Sequence, residues 1–160
     1  MGSDSDLAVM REAEKRLEQF GIPYEIRVLS AHRSPLKTQE YAESASQRGI
    51  EVIIVGAGAA AHLAGAVAAN TMLPVIGVPI DSSSLNGLDA LLSTVQMPTG
   101  VPVATMAIGK AGAANAGIFA AEILAGKDAQ ISTRLTRFKA GLASGVAEKD
   151  RKLRSKKRKR

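Results

Sequence analysis

Apolar residues Leu7, Met10, Leu17 and Phe20 recur at helical spacing with charged residues between them, which predicts a helix over 7–20. Asp6 is placed to cap that helix and Gly21 to end it. After Pro23 the pattern changes to alternation, Tyr24-Glu25-Ile26-Arg27-Val28-Leu29, which predicts a strand over 24–29. Residues 36–48 read as a second helix stopped by Gly49. The run Ile50-Glu51-Val52-Ile53-Ile54-Val55 is β-branched and mostly apolar, as a parallel strand buried on both faces would be. A short alanine-rich helix over 63–70 follows, then a strand over 74–79 bracketed by prolines. A polar loop opens at Ser82, a helix spans 88–95, and Pro98 and Gly100 break the chain before a last strand at 101–105. Small residues dominate a long helix over 111–125. Beyond Gly126, Ile131, Leu135, Phe138 and Leu142 share one face of a helix over 128–142.

Strands alternating with helices imply an α/β fold with a doubly wound parallel sheet between two helical layers. Right-handed crossovers bring the loops at 2–6, 30–35 and 56–62 to one edge of that sheet, where open parallel sheets bind ligands. The pattern calls for a strand ahead of the Gly2-Ser3 loop. In this sequence that first strand is truncated to Met1, and an apolar stretch ahead of Met1 would restore it.

Composition changes this picture in two places. Aromatic residues make up only 3% of the chain while alanine and glycine are abundant, so elements pack closely through small side chains, and association between copies is a further source of burial. The net charge of +6 is not spread evenly: residues 149–160 hold nine basic groups and one acid, net +8, and residues 1–148 are left at net −2. We therefore expect one α/β domain over 1–147, including the C-terminal helix, and a basic tail over 148–160 without regular structure. The tail is a solvated extension or an electrostatic contact for nucleic acid, though it lacks interleaved aromatics. The chain has no cysteine, hence neither disulfides nor a thiolate metal site. No apolar run is long enough to span a bilayer and no signal-peptide pattern is present, so the expected compartment is the cytoplasm.

The chemistry concentrates in the three loops. Ser30-Ala31-His32-Arg33-Ser34-Pro35 places an imidazole that titrates near neutrality beside a fixed positive charge, a pairing suited to proton transfer on an anionic substrate. It also reads as a solvated turn. Gly2-Ser3-Asp4-Ser5-Asp6 offers hydroxyls and free amides at a helix start, suited to a phosphate, or it simply caps the helix. Gly56-Ala57-Gly58 with His62 fits neither the dinucleotide fingerprint nor a Walker loop. His62 contacts a substrate carboxylate or caps the short helix. Neither histidine has a second one at metal-ligand spacing, so no catalytic metal is expected.

In order along the chain stand Met-Gly-Ser-Asp-Ser-Asp at 1–6, Ser-Ala-His-Arg-Ser-Pro at 30–35 and Gly-Ala-Gly-Ala-Ala-Ala-His-Leu at 56–63. Pro-Val-Ile-Gly-Val-Pro at 74–79, the run 91–105 and Ala-Ile-Gly-Lys-Ala-Gly-Ala-Ala-Asn-Ala at 107–116 follow. As a set these resemble the N5-carboxyaminoimidazole ribonucleotide mutase family of purine biosynthesis. The resemblance implies a flavodoxin-like subunit, a homo-octamer, no cofactor, and carboxylate movement from the exocyclic nitrogen to ring carbon C4 of a ribonucleotide. It implies His32 as the catalytic acid/base. It implies Ser3, Asp6 and Arg33 as ribonucleotide ligands, with Asp6 on the ribose hydroxyls and Arg33 and Ser5 on the phosphate. Ser30, Gly58, Ala61, His62 and Leu63 are expected as further substrate contacts. The rival within this chemistry is a carboxylase using free carbon dioxide, whose members typically carry lysine where this chain has Arg33. A rival of another class is a non-catalytic nucleotide- or RNA-binding protein working through its tail. Two positions depart from the family pattern: Ala59 stands where glycine is usual and Ala64 where proline is usual. The basic end lies outside the resemblance.

Overall fold

A computed structural model describes residues 1–157. Its elements in chain order are α1 (Leu7–Phe20), α2 (Pro35–Ser44), β1 (Ile53–Gly58), α3 (Leu63–Ala68) and β2 (Val75–Ile80), then α4 (Leu88–Val95), β3 (Ala104–Thr105), α5 (Lys110–Ala125) and α6 (Ala129–Lys157). Short 3₁₀ turns occupy Asp4–Asp6 and Ser46–Arg48. The three strands form one parallel sheet in the order β1-β2-β3, with Ile53 opposite Val75 and Ile76 opposite Ala104.

Both faces of the sheet are covered, giving the three-layer α/β/α arrangement expected. On one face Ile53, Val55 and Val75 pack against Ala42 and Ala45 at the end of α2, Leu63, Ala64 and Val67 of α3, and Ala90 of α4. On the other, Ile76 and Val78 pack against Ala13 of α1 and Ala113, Ala116 and Ala120 of α5. The small residues let α1 and α5 approach closely. A Cβ at Gly117 would lie 2.8 Å from both the Ala13 carbonyl oxygen and the Arg16 Cβ, so glycine is required there. Phe20, fully buried, meets Phe138 of α6 edge-on at 5.5 Å, and the Arg134 guanidinium donates to the Phe20 carbonyl at 2.5 Å.

Helices α1 and α4 fall where periodicity places them, and Gly21 ends α1 with φ of 67°. Two expectations are corrected. Residues 24–29 form no ladder: among the described residues the sheet consists of β1, β2 and β3, and 24–29 are not part of it. Met1 and Gly2 bridge the two: the Met1 ammonium donates to Arg27 O at 2.9 Å, its carbonyl accepts from Leu29 N at 2.9 Å, and Gly2 N donates to Gly56 O at 3.0 Å. The basic end also differs. Helix α6 runs on through Lys157 instead of losing regular structure at 148, supported by ion pairs of Lys152 with Glu148 at 2.6 Å and Arg154 with Asp150 at 3.0 Å. Residues 158–160 lie outside the described residues. Among the described residues no helix is long and apolar enough to cross a membrane.

Candidate active site

The three loops meet at the carboxyl ends of the strands and enclose one polar cavity. Gly2, Ser3, Ser5 and Asp6 form one wall, and Ser30 to Arg33 the next. Ala57, Gly58, Ala60 and Leu63 form the floor, and Ser82 closes the far side. Of the ten residues singled out from sequence, eight line this cavity. Ala61 does not: its side chain is buried in the core below. His62 is not on the lining either, but it touches His32 directly. Ser82 was missed by sequence reasoning. The available signal was its position two residues beyond β2, at the same sheet edge as the other loops. Its hydroxyl occupies the space a Cβ on Gly58 would fill, which is why residue 58 has no side chain.

The Gly-Ser loop folds on itself. Ser5 Oγ donates to Ser3 Oγ at 2.9 Å, and Ser3 Oγ to Asp4 Oδ1 at 3.1 Å. Asp6 does not cap α1 as expected. The 3₁₀ turn at 4–6 runs directly into α1, so the start of the helical stretch falls back to Ser3. The Asp6 carboxylate turns round to accept Ser3 N–H at 3.0 Å, completing a reciprocal capping box. Asp6 is only 4% exposed, and that burial pushes its carboxyl above the usual range, partly offset by backbone donors from Ser3 and Gly2. A raised folded-state value means the native protein binds the proton more tightly than the unfolded chain. Its contribution to stability is present at acid pH and lost as pH rises through the folded-state value. Asp6→Asn should therefore flatten the fall in unfolding free energy as pH rises above the ordinary carboxylate range, measured by urea unfolding at each pH.

Arg33 is held over this loop. Its backbone N–H donates to Ser30 Oγ at 3.1 Å and its Nη2 lies 3.4 Å from Gly2 O. The turn beneath is fixed by Ser34, whose N–H and Oγ both donate to Ser30 O and whose Oγ accepts from Ser30 N at 3.1 Å. A guanidinium beside free hydroxyls and a helix start is suited to an oxyanion such as phosphate.

His32 Nε2 lies 2.9 Å from His62 Nδ1, with the rings edge-on at 84°. One of these nitrogens must carry the proton and the other accept it. A single imidazolium in the pair is compatible with this bond, whereas two would break it and set two positive charges together. His62 occupies the residue before α3 but makes no side-chain cap there.

Ala59 sits between floor and pair with φ of 50°, a left-handed backbone that disfavours a Cβ. Ala59→Gly should stabilise the protein by about 1 kcal/mol, a rise of roughly 2–4 °C in thermal midpoint by calorimetry.

A parallel sheet with a polar cavity at its strand ends, where an imidazole and a guanidinium stand together, is the arrangement of a doubly wound α/β protein whose site is suited to acid/base chemistry on a small anionic ligand. Comparison with known proteins narrows the class. The family model described as AIR carboxylase matches residues 1–144. N5-carboxyaminoimidazole ribonucleotide mutase of Pyrococcus horikoshii is 57% identical over 153 residues, 96% of this chain and 85% of that one. The mutase of Thermotoga maritima is 58% identical over 153 residues, 96% and 88% of the two chains. The crystal structure of Treponema denticola PurE superposes with a TM-score of 0.84 at 28% identity, covering 96% of this chain and 94% of that one. The chain belongs to the AIR carboxylase family.

Proposed function

We propose that this protein is the isomerase of purine biosynthesis that converts N5-carboxyaminoimidazole ribonucleotide to 4-carboxy-5-aminoimidazole ribonucleotide. The observation that carries the reading is His32, bonded to His62, standing in one cavity with the Gly-Ser loop and Arg33. The names of the mutases at 57–58% identity agree with it.

In this reading the cavity divides the substrate into two parts. Arg33, Ser5 and the amides at the start of the 3₁₀ turn take the phosphate. Asp6 and Ser3 take the ribose hydroxyls. The imidazole ring then reaches His32, with Gly58, Leu63 and the Ser30 turn around it. His32 as imidazolium gives its proton to the carbamate nitrogen. The nitrogen–carbon bond breaks, leaving an amine and one molecule of carbon dioxide inside the closed pocket. Ring carbon C4, activated by that amine, attacks the carbon dioxide and forms the new carbon–carbon bond. Neutral His32 removes the C4 proton, which restores both the aromatic ring and the imidazolium. Atoms and charge balance within the cycle, so no external donor is needed. His62 fixes which His32 nitrogen is protonated and spreads the positive charge. Acid/base catalysis by a placed group supplies about 10²–10⁴-fold, and keeping carbon dioxide beside C4 supplies much of the remainder.

Association of copies belongs to the same reading. Leu88, Leu92 and Val95 form an exposed apolar stripe on α4, with Leu85 just before it. A monomer in water leaves such a patch uncovered. The homo-octamer implied by resemblance fits this surface. Among the described residues, none from the basic end of α6 lines the cavity.

The test is substrate choice. Purified protein given the carbamate substrate should form the C4 carboxylate at low bicarbonate. Given aminoimidazole ribonucleotide with carbon dioxide, it should be slower by about tenfold or more. The opposite preference would assign it to the carboxylases. Tight, salt-sensitive RNA binding without turnover would assign it to neither.

A further inference from the structure

Helix α6 outlasts the surface it packs on. Ile131 and Leu135 are buried and Phe138 meets Phe20, but further along the same face Leu142 and Val146 are 57% and 68% exposed. The family match ends at residue 144, and the helix runs on through Lys157. The cavity takes none of its described lining from this outer half.

The charge there is ordered by the helix. Six of the nine residues 149–157 are basic. At 1.5 Å of rise per residue that is one cation per about 2.3 Å of helix axis, close to the one phosphate per about 1.7 Å along duplex DNA. The helical period sets Lys149 and Lys152 in one row and Arg151 and Arg154 in another, roughly 160° round the axis. All four residues are exposed. Lys152 pairs with Glu148 and Arg154 with Asp150, while Lys149 and Arg151 have no ion pair among the described residues.

Two cationic rows on opposite sides suit a ligand that walls the helix on both sides. A flat anionic bilayer faces one side only, and anchoring there draws on a broad apolar face. Leu153 is the one large apolar residue in 149–157. A second copy of this helix would set like charge against like charge. The major groove of duplex DNA, about 12 Å wide, admits one α-helix and carries a phosphate row on each wall. No Asn, Gln or aromatic residue stands in 143–160, so the contact is mainly with phosphates and largely indifferent to sequence.

We propose that the outer half of α6 docks in the major groove of duplex DNA and holds it by its backbone phosphates. Lys149 and Lys152 reach one wall, Arg151 and Arg154 the other, and Leu153 faces the groove floor. The pairs with Glu148 and Asp150 open as phosphates replace the carboxylates, so these two acids temper the affinity. The site is separate from the cavity and stands independently of the reaction proposed there.

The experiment titrates the full chain into a fluorescein-labelled DNA duplex of about 20 base pairs and mixed sequence, following anisotropy from about 50 to 200 mM KCl. With about six phosphates engaged, affinity should fall about 10³-fold over that range. Lys149→Gln, Arg151→Gln, Lys152→Gln and Arg154→Gln combined should weaken binding about 50-fold or more at the middle of the range and lower the salt slope by about two to four. Glu148→Gln with Asp150→Asn should instead tighten binding about fivefold or more. That second readout does not depend on the first variant keeping its helix. An RNA duplex of the same sequence, whose deep and narrow groove admits no helix, should bind about tenfold less tightly. Absence of binding at the lowest salt, unchanged affinity in either variant, or equal affinity for the RNA duplex overturns the proposal. Phosphatidylserine vesicles that displace the labelled duplex at lower total phosphate than unlabelled duplex does also overturn it, by assigning the helix to a membrane surface.

Discussion

His32→Asn lowers the turnover number for carboxylate migration by about 10²–10⁴-fold, with the thermal midpoint unchanged within about 2 °C. Asparagine keeps a polar side chain of similar reach but cannot carry the proton both ways. The side chain is exposed and its polar partner among the described residues is His62, so folding does not depend on it. Following the isomer spectroscopically after mixing enzyme and carbamate substrate gives the rate. Near-normal turnover in this variant would end the proton-shuttle reading. His62→Asn is the informative companion. It leaves the proton carrier in place, so the loss should be smaller and accompanied by a displaced pH–rate profile.

Arg33→Ala raises the Michaelis constant by about 10- to 100-fold, the loss expected when a charge-assisted hydrogen bond to an anion is removed. The turnover number changes far less, because the contact is made equally before and during the reaction. Arg33→Lys recovers part of the binding, since it restores the charge without the two-pronged geometry. The decisive measurement uses the nucleoside lacking its phosphate. If Arg33 holds the phosphate, the arginine and alanine forms handle that nucleoside alike. A full-sized loss on the nucleoside would place Arg33 against the ring or ribose instead.

The parts of the fold legible in the sequence are those set by local pattern. Helix α1 shows its apolar stripe and its glycine stop, and α4 lies between a glycine and a proline break. What depends on a distant partner was less legible. The apolar run begins at Ile50, yet β1 begins at Ile53 because pairing with Val75 sets the register, and it continues through Gly56 and Gly58 where composition alone suggests a turn. Residues 24–29 have the alternation of a strand but not the neighbour that would make them one. The polar end of α6 shows no apolar face to reveal it, and its support comes from charge pairs one turn apart. In the site, the loops were legible as strand ends, but the bond between His32 and His62 was not. Thirty residues separate them, and only the placement of two loops on adjoining strand ends brings the rings together. Asp6 was legible as a residue of the helix start, but not as the acceptor of its own loop's amide.

The seam where α1 crosses α5 has a bearing on how this sequence can change. Ala113, Ala116 and Ala120 have almost no exposed surface, and Gly117 abuts a carbonyl of the opposite helix. Any added methylene there must push two backbones apart rather than fill a void. Drift and laboratory diversification will find that line nearly frozen to glycine, alanine and serine. The outer half of α6, mostly exposed along its described residues, is freer to vary as far as packing is concerned and is a natural place to attach a label or a second domain.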